Sequence, residues 1–264
     1  EILRVHAAKK PLGEDVDLKE IARTTAGYTG ADLENLMNEA AIITAKDGRF
    51  FINQGDIRQA FIKTGIGAEK KSRVISEKEK KITAYHEAGH AILFHLLPEM
   101  GPVHTISIIP TGMGAAGYTM PLPEQDEMFN SKKKMLENIV VDLGGRVAEE
   151  LIFHDITTGA SQDIKQATQM ARAMVTQYGM SEKVGMIQYG GDEDEVFIGR
   201  DFGHTKNYAD QTAALIDSEV KRIIDESYIK AKEILSQNEE VLHKCAALLI
   251  EKEKIGREEF EALF

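Results

Sequence analysis

The sequence predicts a mainly α fold in two parts: a small helical bundle, then a larger, mostly helical domain with a small β-sheet or hairpin. Three observations point there. Apolar residues recur at three- and four-residue spacing along most of the 264 residues, the period of helices with one buried stripe. Strand-like runs of β-branched residues are confined to the stretch between Val103 and Met120. A polar connector containing Glu69-Lys70-Lys71-Ser72-Arg73 interrupts the helical pattern, giving boundaries of 1–66 for the bundle, 67–75 for the connector and 76–264 for the second domain.

Composition narrows the function. A hydrophobic content of 42% is enough to build cores, and no apolar run approaches the ~18 residues that cross a bilayer. The N-terminus carries no signal-peptide pattern, so nothing in this stretch is expected to be secreted or membrane-embedded. The single cysteine, Cys245, excludes an internal disulfide and fits a reducing compartment. With 43 acidic against 32 basic residues, the net charge of −11 opposes nucleic-acid binding and favours polypeptide partners.

In the first part, helices are expected over Asp17 to Thr25, Ala31 to Asp47 and Asp56 to Lys63, with Gly48 ending the second and Asp56 as N-cap of the third. Gly27 and Gly30 set a tight turn, after which Leu33, Leu36, Met37 and Ala40 form a buried stripe.

The most informative helix spans Ser76 to Leu97. Ser76 and Glu79 make a capping box, Pro98 stops the helix, and Ile82, Tyr85, Gly89, Ile92, Leu93 and Leu96 lay one stripe against a core. Within it lies His86-Glu87-Ala88-Gly89-His90. Residues four apart share a helical face, so both imidazoles can reach one cation, and Zn²⁺ suits neutral imidazole nitrogens. Glu87 lies one residue off that line, where it can take a proton from a metal-activated water. The plain alternative is an amphipathic helix that happens to carry two histidines.

Beyond this helix, strands are expected over Val103 to Ile109 and Ala116 to Met120, joined by a loop at Pro110 to Gly114. A long helix is expected from Lys132 to Phe153, with Met135, Ile139, Leu143, Val147 and Leu151 on one face. Gly144 and Gly145 within it imply another backbone packed closely, the candidate being the His86 helix. Glu149 or Glu150 could orient a ligating imidazole from behind, although each alone reads as a surface carboxylate. Gly159 to Gln162 turns into a helix reaching Tyr178. An acidic loop follows at Gly190 to Glu195, then helices over Asn207 to Ser236 and Val241 to Ile250, and a last turn from Glu258 to Phe264.

A catalytic zinc usually has three protein ligands and an open position. His95 is half a turn out of phase with His86, and Leu93 and Leu96 occupy the positions that a longer histidine motif would need. The remaining donors are His104, Glu149, Glu150, His154, Asp155, Asp163 and His204, and spacing does not choose among them.

The segment Gly27-Tyr28-Thr29-Gly30-Ala31-Asp32-Leu33 resembles the start of the lid helix of AAA+ ATPases. Followed by H-E-A-G-H and then by Thr158-Gly159-Ala160-Ser161-Gln162-Asp163, it is similar in order to the FtsH family of ATP-dependent zinc metalloproteases. That resemblance implies an AAA+ lid at 1–66 and a zinc-peptidase domain at 76–264, with Asp163 as third ligand beside His86 and His90 and with Glu87 as catalytic base. It also implies that Gly30 and Ala31 lie near ATP, and that unfolded or membrane polypeptides are the substrates. The expected assembly is a homo-hexamer, anchored in a membrane through a segment missing here and with this part facing the cytoplasm. No G-x-x-x-x-G-K-[ST] phosphate loop is present in the 264 residues, so the nucleotide-binding core is also missing. The rival expectation is a non-catalytic assembly module in which the metal is structural or absent.

Overall fold

The computed structural model describes residues 1–25, 27–67, 69, 75–112, 115–121, 129–189 and 208–264. The acidic loop, His204, Asn207, connector residues 68 and 70–74, and 113–114 of the expected strand-joining loop lie outside the described residues. Among the described residues the fold is mainly α with one small sheet, and the chain divides into two compact units. Among the described residues no helix is long and apolar enough to cross a membrane.

The first unit comprises Glu1–Ala84, Gly101–Met128 and Leu248–Ala262. Its helices α1 (Ile2–Ala7), α2 (Leu18–Thr24), α3 (Gly30–Lys46) and α4 (Gln54–Ile66) bury Leu36, Met37, Ala40, Ile52 and Ala60. Asp17, expected as the first residue of α2, caps it instead by accepting from the Lys19 N–H at 2.8 Å, and Gly48 takes a φ of 68° just past α3, as the sequence leads one to expect. The N-cap of α4, however, is Asn53 and not Asp56. Asn53 accepts from the Asp56 N–H at 2.8 Å, and the Asp56 carboxylate accepts from the Asn53 N–H at 2.9 Å. The reciprocal pair places the acid one turn inside the helix. There Arg49, together with the Asn53 N–H and Thr44, holds the Asp56 carboxyl down at about 2 against the effect of burial.

The sheet has the order β2-β1-β3, from β1 (Val103–Ser107), β2 (Tyr118–Pro121) and β3 (Lys254–Gly256), all antiparallel. Ile106 pairs with Thr119 on one side and Ile255 on the other. The third strand has no counterpart in the sequence reading, since three residues are too short to show alternation. α11 (Arg257–Glu261) follows it.

The second unit comprises Tyr85–Met100, Phe129–Ala247 and Leu263–Phe264. It takes in the later part of α5 (Glu77–Leu96), whose start is fixed by the reciprocal bonds of Ser76 and Glu79. The long helix expected from Lys132 to Phe153 is two helices, α6 (Lys132–Asp142) and α7 (Gly144–Phe153), broken at Leu143. A short 3-10 turn (Thr158–Ala160) leads into α8 (Ser161–Thr176), followed by α9 (Asp210–Gln237) and α10 (Glu239–Lys252). Ile139, Ala167, Ala171, Met174 and Ile216 are fully buried in the core these helices share.

Candidate metal centre

The break between α6 and α7 follows from a close helix crossing. A Cβ on Gly89 of α5 would come within 2.6 Å of the Gly144 carbonyl oxygen, and one on Gly144 would lie 3.0 Å from the Gly89 carbonyl oxygen. A Cβ on Gly145 would overlap the ring of His86. These three glycines let two backbones touch, the role the sequence suggests for the Gly144-Gly145 pair. The same break leaves the Val141 carbonyl, in the last turn of α6, available to the Nδ1 of His90 at 2.7 Å.

That bond fixes the state of the imidazole. A carbonyl only accepts, so His90 donates from Nδ1 and keeps a bare lone pair on Nε2. His86 is oriented in the same way: its Nδ1 donates to Glu149 Oε1 at 2.8 Å, which turns Nε2 toward His90 and Asp163. The two Nε2 atoms lie 3.1 Å apart, and Asp163 Oδ2 lies 3.3 Å from one and 3.9 Å from the other. Three donor atoms therefore converge, and in the metal-free chain His86 shares its Nε2 hydrogen with Asp163. A tetrahedral ion with bonds of ~2.0–2.1 Å spaces its ligands about 3.4 Å apart, so the triangle has the size that Zn²⁺ requires.

The electrostatics agree. Burial works to lower the pKa of His86, but the carboxylates of Asp163 and Glu149 outweigh it and push it up to about 10. His90 is driven the other way, to about 4, by burial and by the neighbouring His86 charge. His86 thus keeps a proton in the metal-free chain, the proton that a metal would displace. Asp163 is held below the usual carboxylate range: burial opposes this, and the His86 hydrogen bond and the charges of both histidines prevail.

Structure brings His86, His90, Asp163 and Glu87 together, and among the described residues the first three are the group of His, Cys, Asp and Glu side chains able to hold a metal. Glu87 is buried, and its charge contributes to the raised His86 pKa. Other candidates fall away. His95 stacks on Phe264 at 4.2 Å, His104 lies in β1, and Glu150 pairs with Lys232 at 2.8 Å. His154 and Asp155 are exposed beyond α7. The expected ATP contacts are a separate matter: Gly30 and Ala31 form the first turn of α3.

Two acids depart from the sequence reading. Glu149 is not a surface carboxylate: only 1% exposed, it bridges His86 Nδ1 and the Thr157 N–H at 2.8 Å each. It thereby ties His86 to the turn that precedes Asp163. Asp142 escaped notice altogether, and its carboxyl is pushed up to about 7 by burial and then by the charge of Asp163. A charged residue closing the apolar run Ile139-Val140-Val141 was the available signal.

Comparison with known proteins agrees with this geometry. Residues 73–263 match the model of peptidase family M41, and residues 15–59 match that of the AAA+ lid domain. The chain is 56% identical over its full length to a protein from Caldicellulosiruptor bescii named ATP-dependent zinc metalloprotease FtsH, of which it covers 42%. It is 53% identical to FtsH 1 of a Thermoanaerobacter species, covering all of this chain and 43% of that relative. The chain therefore spans less than half the length of these curated relatives. A match that takes in every residue of the His–His–Asp triangle, together with the glycines that its helix crossing demands, places this chain in peptidase family M41, in its FtsH group.

Proposed function

We propose that this chain is a zinc-dependent endopeptidase in which His86, His90 and Asp163 hold the metal and Glu87 is the general base. The observation that carries this reading is the triangle of donor atoms, with edges of 3.1, 3.3 and 3.9 Å, that two histidines of an H-E-x-x-H helix form with Asp163. Bound there, Zn²⁺ supplies Lewis acidity toward water and toward a peptide carbonyl. Glu87 accepts the proton of the attacking water and passes it to the leaving amine. Glu149 and the Val141 carbonyl keep both imidazoles in the tautomer whose Nε2 faces the ion.

The same reading assigns 1–66 to an AAA+ lid, 67–75 to a connector and 76–264 to the peptidase. In the longer protein, Gly30 and Ala31 border ATP, and ATP-driven threading delivers unfolded or membrane polypeptides to a homo-hexamer anchored in a membrane, with this part facing the cytoplasm. Support comes from the relatives' name, ATP-dependent zinc metalloprotease, and from the family matches over 15–59 and 73–263.

The decisive experiment is Glu87→Gln in a protein with the ATPase restored. Zinc content stays at the wild-type level and casein cleavage falls by about 100-fold or more, the scale of a lost general base. Undiminished chelator-sensitive cleavage would falsify the assignment.

A further inference from the structure

The mechanism does not use the residue immediately before His86. One position along a helix is a turn of about 100°, so Tyr85 faces away from the ion. It is only 8% exposed, yet it carries a hydroxyl that needs a partner. That partner is His243 of α10, whose Nδ1 lies 2.8 Å from the Tyr85 oxygen. His243 Nε2 lies 3.5 Å from Glu239 Oε1. A ring that offers its Nε2 hydrogen to Glu239 keeps Nδ1 as an acceptor, so the tyrosine donates.

The Tyr85 ring is held on both flanks. It meets Phe153 edge-on at a centroid distance of 5.5 Å and His243 edge-on at 5.6 Å. Phe153 ends α7, and counting back by fours along that helix gives Glu149 and then Gly145. Gly145 lies against the His86 ring, Glu149 binds its Nδ1, and Phe153 grips the side chain next to it. One face of α7 therefore registers α5 at three successive turns, and His243 closes the clamp from the other side.

We propose that His243 is a positioning residue for the metal centre, acting through the Tyr85 hydroxyl to fix the His86 imidazole against Glu149 and Asp163. This rests on the reading of His86, His90 and Asp163 as metal ligands. Without the acceptor, a mostly buried hydroxyl loses its bond, and the ring turns toward water and takes the backbone at His86 with it. Such an effect acts one step farther out than a group bonded directly to a ligand, so it falls below the 10–100-fold loss typical of those.

The test uses the 264-residue chain and two readouts at the metal: zinc affinity by competition with a chelator, and the visible spectrum of the Co²⁺-substituted protein. Tyr85→Phe and His243→Leu should each weaken zinc binding about fivefold and alter the Co²⁺ bands. The double variant should lose no more than either single one, and His243→Gln, which retains an acceptor, should recover most of the affinity. If His243→Leu fails to fold, Tyr85→Phe, which removes one oxygen atom, decides. Zinc affinity and Co²⁺ bands within twofold of the parent in Tyr85→Phe, whatever the change in Tm, would overturn the inference and leave an ordinary packing contact. A parent chain that binds no zinc, or that binds it equally well after Asp163→Ala, would overturn the metal reading and this inference with it.

Discussion

At the scale of single residues, the metal centre depends as much on what is missing as on what is present. Gly145 bears no side chain because the His86 ring occupies the space where a Cβ would stand. Gly145→Ala is therefore expected to displace that ring from Glu149 and weaken zinc binding by about 100-fold, as lost orientation of a ligand does. Far-ultraviolet circular dichroism of the same variant should remain helical, since alanine favours the helix. A chelator competition showing parental affinity would refute the steric argument. The donors themselves, His86 and His90, were legible from spacing alone. Glu149 was not, because nothing in Ala148-Glu149-Glu150 distinguishes an acid buried against a histidine from one reaching a lysine on α9.

At the scale of elements, helix ends were read well wherever the signal was local. Ser76 with Glu79 behaves as its sequence spacing implies. Asn53 was missed because Asp56, three residues on, carries an equally good capping side chain and only the geometry assigns the two roles. The far end of α10 holds a residue under strain. Glu253 has a φ of 62°, donates its N–H to Leu249 at 2.8 Å and accepts from the Ile108 N–H at 2.9 Å, so its backbone is fixed in a left-handed conformation that favours glycine. Relief of that strain is worth ~1–2 kcal/mol, whereas the partly exposed Lys80–Glu253 pair it would sacrifice is worth ~0–1 kcal/mol. Glu253→Gly should accordingly raise stability by about 0.5–1 kcal/mol, visible as a higher urea midpoint with an unchanged m-value. A lower midpoint would show that the ion pair or the unfolded chain's added freedom outweighs the strain.

At the scale of the whole molecule, metal, protons and folding are linked. In the metal-free chain the raised His86 pKa favours the fold below about 6.5, its unfolded value, and that contribution is lost as pH rises through about 10. Zinc takes the place of this proton. Binding at pH 7 should release about one proton, because His90 is already neutral above about 4 and Asp163 is already ionised. Apparent affinity should then rise about tenfold per pH unit across the neutral range. Calorimetry in buffers of different ionisation enthalpy measures the proton count directly, and zero released protons would contradict the charge assignment. Saturating zinc should also raise Tm by mass action, and more so at pH 8 than at pH 6.

The sequence by itself determined the helical class, the start and direction of α5, the two imidazoles and the base beside them. All of these follow from periodicity and capping within a few turns, where chain connectivity fixes distance. Spacing left the third donor open and only family resemblance pointed to Asp163, 73 positions beyond His90; the tertiary structure alone decided that it lies within the triangle's reach, that Glu149 stands behind His86, and that one expected helix is two. Those outcomes depend on which backbones come within contact distance, and spacing along a chain carries no measure of distance between segments that meet only on folding.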